Sequence, residues 1–81
     1  MKRGTVALSL AGHDKGDFVV VLSVSEKEAT VCDGKNRKLE KPKIKNIIHL
    51  KETKKTLDEK CLESNKSIRV ALSQLKKINN D

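Results

Sequence analysis

Aromatic side chains are all but missing from this chain of 81 residues: there is no Trp, no Tyr and a single Phe, Phe18. Proteins that hold single-stranded nucleic acid stack bases on exposed rings. The one ring here sits inside the aliphatic run Phe18-Val19-Val20-Val21-Leu22, so it is expected in the core and base stacking is not expected to dominate. Cysteine is limited to Cys32 and Cys61, with no C-x-x-C pair, which excludes a disulfide framework and predicts two reduced thiols in a cytoplasmic protein. A metal site would have to gather Cys32, Cys61, His13 and His49 from across the chain; no metal and no cofactor is expected. No apolar run approaches the ~20 residues that span a membrane. Met1-Lys2-Arg3 and Thr5–Ala11 have the basic start and short apolar stretch of a secretory leader, but no small-x-small cleavage site follows before His13. The same residues read better as a first strand. Pro42 is the only proline.

Positive charge is plentiful and unevenly placed. The chain has 18 Lys and Arg against 11 acids, a formal net charge of +7. Lys35–Lys55 holds nine of those bases and two acids, Glu40 and Glu52, and the remaining residues hold nine of each sign. The whole excess therefore lies in one quarter of the sequence. A chain of this length forms one small domain, which buries only about 60–65% of its unfolded surface and has a thin core.

Thr5–Leu10 alternates with period two, Val6, Leu8 and Leu10 against Thr5, Ala7 and Ser9, and predicts a half-buried first strand. Gly12 and Gly16 bracket a tight polar turn. Asp17–Val24 is the strongest strand: Phe18, Val20, Leu22 and Val24 make one face, and Val19 and Val21 make the other apolar too. Such a strand is central and covered on both sides, as in a small closed barrel. Ala29–Cys32 predicts a third strand, and Asp33-Gly34 a type I′ hairpin turn into a fourth at Lys35–Leu39. Pro42 interrupts, and Lys43–Leu50 predicts a fifth strand with Ile44, Ile48 and Leu50 on one face and Lys43, Lys45, Ile47 and His49 on the other. Thr56-Leu57-Asp58-Glu59 fits a capping box opening a helical turn. Ser64 or Asn65 can cap a second helix, in which Ile68, Ala71, Leu72, Leu75 and Ile78 form an apolar stripe and Arg69, Lys76 and Lys77 point outward. The expected architecture is mainly β: a barrel of about five strands over residues 1–52, with a helical extension over 53–81 packed on it.

Gly4-Thr5-Val6-Ala7, followed by Ala11-Gly12-His13-Asp14-Lys15-Gly16-Asp17-Phe18-Val19-Val20, resembles a KOW motif, a strand–glycine turn–strand unit of ribosomal proteins and transcription elongation factors. Asp33–Lys45, then His49-Leu50 and the Ile68–Leu72 helix, resemble more narrowly the ribosomal protein fourteen-e type and its small bacterial relatives. The resemblance covers nearly the whole chain. It implies an SH3-like barrel that binds structured RNA, ribosomal RNA above all. The glycine turn of that family often carries a basic residue where this chain has His13.

Enzymatic chemistry is not expected. His13 and Asp14 are adjacent and no nucleophile is fixed near them; His13 reads as an exposed loop residue and Asp14 as a turn residue bonding its own backbone. The basic segment predicts phosphate contacts by Arg37, whose planar fork suits a phosphate, with Lys35, Lys38, Lys41, Lys43 and Lys45 supplying positioning charge. Lys15 and His13 join them from the glycine turn. The expected function is a non-catalytic RNA-binding protein of the translation apparatus, with no membrane and no small-molecule substrate among its partners. The alternatives are a protein-interaction module docking on an acidic partner and a DNA-associated KOW protein. A Lys-rich surface that only aids solubility would not gather all the excess charge in one segment.

Overall fold

The two apolar faces of the Phe18–Val24 strand dictate the architecture, because each needs its own cover. A computed structural model describes residues 1–79, with side chains described through Lys76; the expectations for Lys77 and Ile78 fall outside the described side chains. Its elements are β1 (Thr5–Ser9), β2 (Phe18–Val24), β3 (Glu28–Cys32), β4 (Lys43–Asn46), a 3₁₀ turn at Ile47–His49, β5 (Leu50–Thr56), a second 3₁₀ turn at Cys61–Glu63, and helix α1 (Asn65–Asn79). The strands form one antiparallel sheet in the order β4-β3-β2-β1-β5.

That order forces curvature. Laid flat, the outer strands β4 and β5 would stand about 19 Å apart at the usual interstrand spacing. They are consecutive in the chain, joined by three residues of 3₁₀ turn that rise only about 6 Å. The sheet must curl until its edges approach, which gives a small barrel-like fold. Its interior is filled by Ala7, Val19, Val21, Ala29, Val31 and Leu50. The outer face of β1–β3 presents Val6, Val20 and Cys32, covered by Leu57, Leu62, Ile68 and Leu72 from the C-terminal segment. The double covering of β2 and the helical stripe are therefore as the sequence predicts. Val24 is the exception on β2: a register shift between Val21 and Ser23 leaves it exposed.

Several expectations are corrected. In β1 Val6 is buried as expected, but the opposite face, Thr5, Ala7 and Ser9, is buried too, and Leu10, past the strand's end, is exposed; a tight curl accepts small residues inside. Lys35–Leu39 is not a strand, and Asp33-Gly34 is not a type I′ turn, since only Gly34 has positive φ (+77°). Asp33 instead caps a loop with its side chain: Oδ1 accepts from the N–H groups of Lys35 (2.9 Å) and Arg37 (2.8 Å). In β4 the facing is inverted, with Lys45 buried and Ile44 61% exposed; Ile48 lies in the 3₁₀ turn and is 73% exposed. Thr56 ends β5 rather than capping a helix, and Asp58 Oδ1 accepts from Cys61 N (2.8 Å) at the turn that follows. Of the two candidate caps of α1, Ser64 takes the role, its hydroxyl accepting from Ser67 N (3.1 Å).

Ile68 is fully buried at the centre of the helix–sheet contact. Ile68→Ala is expected to cost about 2–5 kcal/mol, the range for an aliphatic side chain deleted from a filled site. Urea unfolding followed by circular dichroism measures it, and a loss under about 1 kcal/mol would mean the helix face is not needed.

Candidate nucleic-acid interface

Chain order places the cationic segments before any side chain is considered. β1 ends at Ser9 and β2 begins at Phe18, while β3 ends at Cys32 opposite Val20 and β4 begins at Lys43 opposite Val31. The 10–17 and 33–42 loops therefore share one end of the sheet. His13, Lys15, Lys35, Lys38 and Lys41 are exposed there, and Arg37 and Lys43 are half-buried. Lys54 and Lys55 lie in the second half of β5, toward the opposite end, where Thr56 pairs with Thr5. The basic stretch is thus divided, and its first part is the part that gathers.

The 33–42 loop is docked rather than free. Leu39 packs against the helix-side core. Asn65, the first residue of α1, accepts from Leu39 N through Oδ1 (2.8 Å) and donates through Nδ2 to the Glu40 carboxylate (2.9 and 3.2 Å). Gly34 lies so close to the helix that a Cβ there would collide with the Asn65 carbonyl oxygen and crowd Arg69 N. Its left-handed φ also disfavours any other residue.

Every acid at this end is already engaged. Asp14 pairs with Lys45, Asp17 with Lys76 (3.2 Å), Asp33 holds its own loop and Glu40 holds Asn65. Among the described residues, Lys15, Lys35, Arg37, Lys38, Lys41 and Lys43 have no acidic partner within ion-pair distance. The end is left with uncompensated positive charge.

Lys45 is withdrawn from that surface. Its side chain, 7% exposed, runs inside the curl and donates from Nζ to Ala11 O (2.9 Å) and Asp14 Oδ1 (2.9 Å). The Ser9 hydroxyl also donates to Asp14 Oδ1 (2.8 Å), while Asp14 Oδ2 is buried without a partner. Burial alone would raise the Asp14 pKa, but hydrogen bonds from Lys45 and Ser9 outweigh it and hold the carboxyl below its ordinary 3.8. Asp14 is thus a largely covered anchor for Lys45 as well as a turn residue, and no signal short of the fold links it to a lysine 31 positions away.

Both thiols are held toward their protonated form. Burial, and then Asp33, push Cys32 up to about 11, and burial raises Cys61 as well. Among the described residues no three His, Cys, Asp or Glu side chains converge as a metal ion requires, and no helix is long and apolar enough to cross a membrane. Sequence reasoning missed Arg69, which the fold sets beside Lys35 across a groove between the 33–42 loop and α1. Neither a family model nor a curated protein matches the chain.

Lys45→Ala strands a buried carboxylate and is expected to destabilise by about 3 kcal/mol or more, whereas Asp14→Ala/Lys45→Met removes both charges and recovers most of it. Chemical denaturation of the set tests this; equal losses in single and double variants would show that the pair is not coupled. Because the Asp14 pKa is depressed on folding, its contribution is present above the unfolded value and lost as pH falls through the folded one. Stability should drop below about pH 4, and the drop should shrink in the double variant.

Proposed function

We propose that this is a non-catalytic RNA-binding protein of the translation apparatus, holding structured RNA, ribosomal RNA above all, by phosphate contacts at the loop end of its barrel. One observation carries the reading: cations without an acidic partner among the described residues gather from two loops and the start of β4 at one end of the sheet, where the acids are engaged by other groups. Like charges held together repel one another, and a polyanion relieves that repulsion while releasing its counterions. Lys35, Arg37, Lys38 and Lys41 act from the docked loop and Lys43 from the start of β4, with Lys15 and His13 at the same end of the sheet. Arg37 grips a phosphate with its planar fork, and the lysines position the backbone without reading sequence. Double-helical RNA suits such contacts because it is recognised by shape and phosphate spacing. The resemblance to the KOW motif and to the fourteen-e type points the same way.

About five phosphate contacts predict a log–log salt slope of roughly −3 to −5 for binding to a ribosomal RNA fragment. Lys38→Glu/Lys41→Glu should weaken binding about tenfold or more and make the slope shallower by about one for each phosphate no longer neutralised. Filter binding from roughly 50 to 300 mM KCl checks both. Affinity indifferent to salt would refute the reading, and equal affinity for duplex DNA would favour a DNA-associated role instead.

A further inference from the structure

Lys35 and Arg69 line opposite sides of one groove. It has a volume of about 780 Å³, within the usual range of small-ligand sites, and lies between the tip of the 33–42 loop, the start of β2 and one face of α1. Three kinds of group line it. Lys35 on the loop and Arg69 on the helix are cations with no acidic partner among the described residues. Phe18, only half-buried, and Val70, 44% exposed, leave apolar surface uncovered. Asn36 and Gln74 each offer an amide donor and an amide acceptor. Two acids also line it, and both are occupied: Asp17 pairs with Lys76, another lining residue, and Asp33 accepts from backbone N–H groups of its own loop.

A cation pair, an accessible ring and amide edges match the three parts of a nucleotide: phosphate, base face and base edge. Phe18 is the one Phe of a chain without Trp or Tyr, and it is the ring this groove offers to a base. Phe18 is thus partly outside the core to which the sequence assigns it. We infer that this groove takes one unstacked nucleotide of bound RNA, its phosphate between Lys35 and Arg69 and its base against Phe18 and Val70. The inference rests on the RNA reading above and adds to it: sequence-tolerant phosphate contacts over the loops, and one extruded base held beside the helix. Gly34 sets the width of the groove, since any side chain there would press the loop off α1.

The test uses the full chain, titrated by NMR with adenosine and uridine monophosphates and, separately, with inorganic phosphate. Nucleotides should move the Phe18 ring and the Val70 and Gln74 signals, and inorganic phosphate only Lys35 and Arg69. Phe18→Leu should weaken nucleotide binding about fivefold or more with phosphate binding unchanged, a separation that general unfolding would not produce. Arg69→Gln, on an exposed helical position, should weaken both ligands with the fold intact. Ultraviolet crosslinking of a ribosomal RNA fragment should label Phe18 or the 69–74 segment. Crosslinks confined to 35–43 with RNA still bound, or nucleotide and phosphate moving the same signals equally, would overturn the groove assignment and leave the RNA reading standing. Groove shifts with nucleotide but no retention of RNA would overturn the RNA reading, and with it the assignment of that nucleotide to RNA.

Discussion

The pairing of Lys45 with Asp14 decides which way β4 faces. Side chains alternate along a strand, so sending Lys45 inward necessarily sends Ile44 outward. An aliphatic side chain at 45 would fill the curl at less desolvation cost, and a buried ion pair is a weak source of net stability. Its effect is on specificity of placement. Lys45 reaches from the edge strand to the carbonyl of Ala11 and the carboxylate of Asp14, and Ser9 joins from β1. Three separate segments meet at one carboxylate oxygen. Released from it, β4 could slip by one residue and bury Ile44, and the 10–17 loop that presents His13 and Lys15 would lose its tether.

That inversion also marks the limit of what the sequence reveals. β1, β2, β3 and α1 are legible because their signals are strong and local: aliphatic alternation in the strands, and Ile68, Leu72 and Leu75 at helical spacing. β5 is not. Its residues, Leu-Lys-Glu-Thr-Lys-Lys-Thr, show no apolar alternation, and they become a strand through pairing with β1 and through Thr53 Oγ1 donating to Val6 O (2.7 Å). Tertiary pairing overrides weak propensity there. The 33–42 segment fails for a different reason: Asp-Gly looks the same whether it makes a hairpin turn or an Asp-capped loop, and the choice is made by the Gly34–Asn65 contact with a distant helix.

The candidate surface divides along the same line. Its charge is legible, because composition alone locates the excess between Lys35 and Lys55. Its geometry is not. Lys45 carries the same charge as Lys43 and lies two residues along the same strand, yet one is committed to the interior and the other remains partly exposed. Arg69 and Phe18 join the loop only because the helix crosses the start of β2, and no spacing in the chain announces that meeting.

The C-terminal helix therefore serves packing and presentation through one set of contacts. Without Ile68 and Leu72 of the helix, and Leu57 and Leu62 of the segment leading into it, the outer face of Val6, Val20 and Cys32 would stand in water, and a chain this small has no spare core to offset the loss. The same helix supplies Asn65, which holds Leu39 and Glu40, and the backbone against which Gly34 rests. A loop this rich in like charges would otherwise spread to reduce its own repulsion. Docked on the helix, it keeps its cations together, and the ordering of that loop is completed during folding.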